Sequence, residues 1–316
     1  MAKWTSVDIP DQTGQTIMIT GANSGLGRRA SEALAAKGAR VLMACRDERR
    51  AKAALEEVKV HATGPAPEIR TLDLASLASV RACAAGLIDE LDHLDVVMNN
   101  AGVMAVPRAI TDDGFELQLA TNHLGHFALT GLLLPVLLAA PAPRVISVSS
   151  NAHKFGKIHF DDLFFEHHRY GRWSAYSQSK LANLLFSREL QRQASEHDTA
   201  LIAAAAHPGW AATNLSAGPT LGAGFLKPLT RLETFFGQPD HMGALPQLYA
   251  ATMPTVVADD YWGPDSLGES RGHPTRVGRR ASALDSVAAS RLWNRSVELT
   301  CVAYRWSRKR VAIALR

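Results

Sequence analysis

Six short apolar runs, QTIMIT, ARVLMAC, EIRTLDL, LDVVMNN, RVISVSS and TALIAAAAH, follow one another along the chain with a helical pattern between successive runs. They are apolar without strict alternation, as strands buried on both faces are. Strands separated by helices do not pair as hairpins; they build a parallel sheet with helices on both faces. The expectation is one doubly wound α/β domain over residues 14–265. After about Asn214 the rhythm breaks into LSAGPTLGAGFLKPLTRLETFFGQPD, read as a segment covering a substrate at about 214–240. A further helix and a short strand near DDYWG follow, and 266–316 reads as a C-terminal extension.

Ligands of open α/β sheets lie beyond the carboxyl ends of the strands, so the chemistry is sought there. The first strand runs into TGANSGLG, with Gly21, Gly25 and Gly27 opening a helix. Glycines there let the backbone approach a pyrophosphate, while the helix N-terminus offers free N–H groups and a positive dipole end. The second strand ends MACRD, which puts Cys45 where an NAD-selecting carboxylate would stand and Arg46 beside it. A guanidinium suits a ribose 2′-phosphate, so NADP is favoured over NAD. Asp47 is read as the cap of the next helix, and Arg28 as a second cation for the phosphate.

The stretch AYSQSKLANLLF carries Tyr176 and Lys180 one helical turn apart on one face. Tyr170, Tyr249, Tyr261 and Tyr304 have Ser174, Met253, Asp265 and Arg308 at the same offset, so only one tyrosine has a lysine there. A phenol of pKa about 10 exchanges protons poorly at neutral pH, and lowering it to about 7 takes roughly 4 kcal/mol. A neighbouring ammonium, a cationic ring and a dry pocket work in that direction. The alternative is a surface helix whose polar face holds both residues.

Bulk properties exclude other classes. The 316 residues are 47% hydrophobic and 20% charged, an ordinary globular balance, with a net charge of only +4. Basic residues are scattered apart from Arg46–Arg50 and Arg305–Arg310, which argues against a nucleic-acid partner. Cys45, Cys83 and Cys301 are far apart and read as reduced thiols. The start of the chain lacks a secretion-type apolar core, and FALTGLLLPVLLAAPAP is too short and proline-broken to span a bilayer. A soluble, cytoplasmic protein is expected. YRWSRKRVAIALR is read as a solvated tail, with weak peripheral membrane contact as the alternative. His153, His159, His167 and His168 fall close in sequence but without metal-ligand spacing, so no metal is expected.

Taken with LDL around Asp73, NNAG at 99–102, TNHLGHF around Asn122, Ser149–Ser150, and HPG at His207 to Gly209 followed by Thr213, these motifs are identified as those of the short-chain dehydrogenase/reductase family. ACRD, NHLGHF and HPGW resemble its retinol-dehydrogenase-like branch, which also has a long loop between Ser150 and Tyr176. The resemblance implies a Rossmann-type fold and an NADP(H)-dependent oxidoreductase acting on an alcohol or carbonyl. It places Gly21, Ser24, Gly25, Leu26 and Gly27 on the pyrophosphate, and Arg46 at the adenosine end. Asp73 with Leu74 would touch the adenine, and Asn100, Ala101 and Gly102 would close the groove. Tyr176 would be the catalytic acid/base with Lys180 its partner, Ser150 would orient the substrate oxygen, and Asn122 would hold a water relay. Pro208, Gly209 and Thr213 would position the nicotinamide. Ser149 remains the alternative hydroxyl, and a homo-oligomer is compatible with the family. Leu221, Phe225, Leu226, Leu229, Phe235 and Phe236 hint at a lipophilic substrate. The reading from a different class is a catalytically silent NADP(H)-binding sensor.

Overall fold

A sheet of eight strands in the order β3-β2-β1-β4-β5-β6-β7-β8 forms the centre of the protein. The computed structural model describes residues 3–210 and 238–306. The strands are β1 Thr16–Thr20, β2 Arg40–Cys45, β3 Glu68–Thr71, β4 Val96–Asn99, β5 Arg144–Val148, β6 Ile202–Ala206, β7 Tyr261–Ser266 and β8 Arg271–Arg276. Strands β1 to β7 pair in parallel, and β8 closes the edge antiparallel to β7. The order reverses between β1 and β4, which opens the ligand crevice at their carboxyl ends.

The helices are α1 Gly25–Ala35, α2 Glu48–Lys59, α3 Leu77–Glu90, α4 Leu117–Leu119, α5 Gly125–Leu137, α6 Arg172–Glu196, α7 Asp240–Gly243, α8 Leu245–Thr252 and α9 Ser286–Thr300. Alternate strand residues feed two cores. Ile17, Ile19, Val41 and Met43 meet α1, α2 and α8, whereas Met18, Leu42 and Val97 meet α3, α5 and α6. Both sides of the sheet are therefore apolar, which explains the runs without alternation.

The long helix expected through TNHLGHF is interrupted: α4 and α5 are joined by a π-helical turn, Ala120–Leu124. The segment read as a C-terminal extension supplies β8 and α9, whose Leu292 and Trp293 are buried. Trp293 packs on Phe127 of α5 and Phe186 of α6. Among the described residues no helix is long and apolar enough to cross a membrane. The stripe from Leu221 to Phe236, Thr213, and the end of the basic tail lie outside the described residues.

Candidate active site

The glycine turn leaves β1 directly into α1. Gly21 has φ +68°, and a Cβ on Gly27 would collide with the Gly21 carbonyl, so this close approach of strand and helix requires glycine. Ser24 occupies the N-cap position of α1 but makes no capping hydrogen bond. Asp47, Ser76 and Asp285, by contrast, cap α2, α3 and α9 with their side chains. The first turn of α1, with Gly25, Leu26 and Gly27, thus presents N–H groups and a positive dipole end, the cradle that a pyrophosphate fits.

Cys45 is buried at the end of β2, and burial pushes its thiol up to about 12. Arg46, next in the chain, is exposed. The Asp47 carboxylate accepts the Arg50 N–H at 2.9 Å and is spent on the α2 cap. Arg28 is paired with Glu57 and, at 3.6 Å, with Glu32. Beyond β3, Asp73 accepts the Ala75 N–H at 2.9 Å, and Leu74 is buried against Gly125 of α5.

At the end of β4 a side chain overlooked in the sequence organises the backbone. The Thr20 hydroxyl accepts the N–H groups of Asn100 (3.0 Å) and Ala101 (2.9 Å), and Asn100 Nδ2 donates to Thr20 O at 2.7 Å. Thr20 Oγ1 lies 2.8 Å from His126 Nε2, whose Nδ1 lies 3.0 Å from Asn122 O. A carbonyl only accepts, so Nδ1 carries the proton and Nε2 accepts from Thr20. The chain β1–α5–π turn is thereby one hydrogen-bonded unit. Its only local signal is a threonine ahead of the glycine turn.

Tyr176 and Lys180 are brought together as their spacing predicts, but on a buried helix: they are 6% and 4% exposed. Lys180 Nζ lies 5.8 Å from the Tyr176 ring centroid and donates to Val148 O at 3.1 Å. A Cβ on Gly102 would sit 3.0 Å from Asn122 Oδ1 and 3.3 Å from Lys180 Nζ, so the groove narrows where these groups meet. Asn122 Oδ1 accepts from Val103 N at 2.8 Å, and its Nδ2 donates to Val103 O at 2.9 Å and to Ser179 Oγ at 2.8 Å. Both ends of that amide are committed, and Ser179, also overlooked in the sequence, anchors it to α6. Ser149 is likewise spent, donating to Lys180 O at 2.7 Å. Ser150 Oγ accepts the Ala152 N–H at 3.2 Å and also lies within hydrogen-bond reach of the Tyr176 hydroxyl.

The expected lowering of the phenol is not what the protein alone produces. Burial pushes Tyr176 up to about 12, with Ser150 pulling the other way, and burial pushes Lys180 down to about 8. Desolvation outweighs the ammonium's attraction because both groups have left water together.

After β6, Gly209 turns with φ +68° and Pro208 O accepts from Gln238 Nε2 at 2.6 Å. The four histidines of the Ser150–Tyr176 loop do not converge. His153 lies buried with Nδ1 2.7 Å from Ser150 O, while His159 and His168 lie ring against ring beside Asp162. Among the described residues no group of three or more metal-binding side chains gathers.

Known proteins resemble this chain over most of its length. Human retinol dehydrogenase 14 is 41% identical over 298 residues, covering 89% of this chain and 84% of its own length. Human retinol dehydrogenase 12 is 40% identical over 304 residues, 96% of this chain and 90% of its own. A crystal structure of an uncharacterized protein from Mycobacterium paratuberculosis is 42% identical with TM-score 0.79, covering 96% of this chain and all of that one. The family model described as short chain dehydrogenase matches residues 15–220. With that fold, those relatives and that match, the chain belongs to the short-chain dehydrogenase/reductase family of oxidoreductases.

Proposed function

We propose that the protein is an NADP(H)-dependent oxidoreductase that moves a hydride between nicotinamide and an alcohol or carbonyl, with Tyr176 as general acid/base. The observation that carries this reading is the meeting of Tyr176, Lys180, Ser150 and Asn122 beside Gly102, at the carboxyl ends of β4 and β5. The uncapped first turn of α1 holds the pyrophosphate, and Arg46 supplies the cation for a 2′-phosphate. Asp73 and Leu74 flank the adenine, Asn100 and Ala101 close the floor, and Pro208 and Gly209 bound the nicotinamide side.

When bound, the cofactor supplies or takes the hydride. Ser150 orients the substrate oxygen by hydrogen bonding. Tyr176, held neutral by burial, gives its proton to the alkoxide that forms, and takes it back in the reverse direction. Lys180 and a cationic ring together offset the cost of a phenolate there. In this reading residues 14–265 carry the cofactor-binding and catalytic residues. Trp173, 57% exposed and edge-to-face with Tyr176, offers an aromatic wall to an apolar substrate, consistent with relatives named for retinol. A cytoplasmic location is part of this reading.

The test is purified protein with NADPH and a panel of aldehydes and ketones, followed at the reduced-nicotinamide absorbance. Turnover is expected, and Tyr176→Phe should lower it by about a hundredfold or more while NADPH still binds. Binding without turnover across the panel would overturn the reading in favour of a sensor.

A further inference from the structure

The turn joining β7 to β8 returns to the active-site end of the sheet. Leu267, Gly268 and Glu269 have φ of +48°, +61° and +65°, a run of left-handed backbone that persists only where the surroundings impose it. Three sets of contacts impose it. Asn151 Nδ2 donates to Glu269 O at 3.2 Å, and Lys154 Nζ donates to Glu269 Oε2 at 2.8 Å. Both come from the 3-10 turn Asn151–Phe155 that Ser150 caps. On the other side, Trp210 N donates to Ser270 O at 2.7 Å, directly after Gly209.

His207 joins the two. Its Nδ1 accepts the Gly209 N–H at 3.2 Å, so its proton sits on Nε2, which faces Glu269 Oε2 at 3.5 Å. The ring is fully buried and fits only because Gly263 of β7 has no side chain: a Cβ there would strike Nε2. One carboxylate oxygen thus accepts from a cation of the Ser150 turn at 2.8 Å and is the anionic group facing the imidazole of the nicotinamide-side turn, whose buried Nε2, at 3.5 Å, has no closer hydrogen-bond partner. His207 and Lys154 hold the Glu269 carboxyl down at about 2, so it stays charged.

We propose that Glu269 is a positioning residue that ties the turn after Ser150 to the turn at His207–Gly209, so that the two walls of the catalytic groove hold one spacing. The inference rests on the functional reading above. Glu269 reaches neither substrate nor cofactor; it acts through Lys154 and His207.

The experiment compares Glu269→Gln, Lys154→Met and the double variant with the parent protein. Three readouts are used: steady-state kinetics on the carbonyl the parent reduces fastest, NADPH titration, and amide hydrogen exchange over 149–156 and 207–210. For Glu269→Gln, kcat is expected to fall about tenfold, since a misplacement of about 1 Å can cost about a hundredfold in a preorganised site. The NADPH Kd rises severalfold, exchange accelerates in both turns, and the thermal midpoint stays near the parent's. Lys154→Met reproduces the direction, and the double variant is no worse than Glu269→Gln. Parent-like kinetics with parent-like exchange in both turns would overturn the proposal. So would losses that simply add in the double variant. If the parent reduces no carbonyl, the functional reading fails, and exchange with NADPH affinity still decides the Glu269 tie.

Discussion

At the scale of single residues, the proposed preference for NADP rests on three consecutive side chains at the end of β2. Cys45 is buried, Arg46 is exposed, and Asp47 is engaged in capping, so the one charge free to face a ribose is positive. Arg46→Asp should therefore weaken NADPH by about tenfold relative to NADH, the worth of one charge-assisted contact. Titration of both cofactors measures it, and an unchanged ratio would refute the NADP assignment. The Tyr176–Lys180 pair was legible in the sequence because a four-residue offset on a helix fixes proximity. The phenol's upward shift was not legible, because desolvation depends on how completely α6 is covered. Thr20 escaped for a related reason: its partners at 100, 101 and 126 lie some eighty residues or more along the chain.

At the scale of elements, start signals were read better than irregularities. Asp47 caps α2 as its position ahead of a helical pattern suggests. Asp47→Ala should lower stability by about 1 kcal/mol, seen in urea unfolding, while the NADPH-to-NADH ratio stays put. A shift in that ratio would mean the carboxylate faces the cofactor after all. The π turn Ala120–Leu124 left no periodic trace, since its neighbours are apolar on every side. Strand β8 was hidden too: RGHPTR has no alternation and contains proline, and it becomes a strand only because β7 offers an edge.

At the scale of the molecule, strand–helix alternation was sufficient for the doubly wound sheet, whereas the joining of its far end to the core was not foreseeable. Trp293, buried, and Tyr304, half-buried, pack against Phe127 through contacts that no local pattern encodes. Buried histidines give the whole fold an acid sensitivity. Burial pushes His123 down to about 3 and His126 to about 4. Unfolded, each takes up a proton near pH 6.5, so the unfolded chain binds more protons than the folded one below that pH. The contribution of these two histidines is therefore fully present above about pH 6.5 and is lost as pH drops toward 4, with a limiting slope of about 2.7 kcal/mol per unit for the pair. Urea midpoints at pH 7, 6 and 5 check this, and His123→Gln should flatten the slope; an unaltered slope would refute it.

The antiparallel edge has its own consequence. An open sheet ends in unpaired N–H and C=O groups that recruit further strands. Here the outermost strand sets Pro274 opposite Pro264 and begins and ends with arginine. A border with a proline inside it and a cation at each end is poorly suited to accept a like strand from a second molecule.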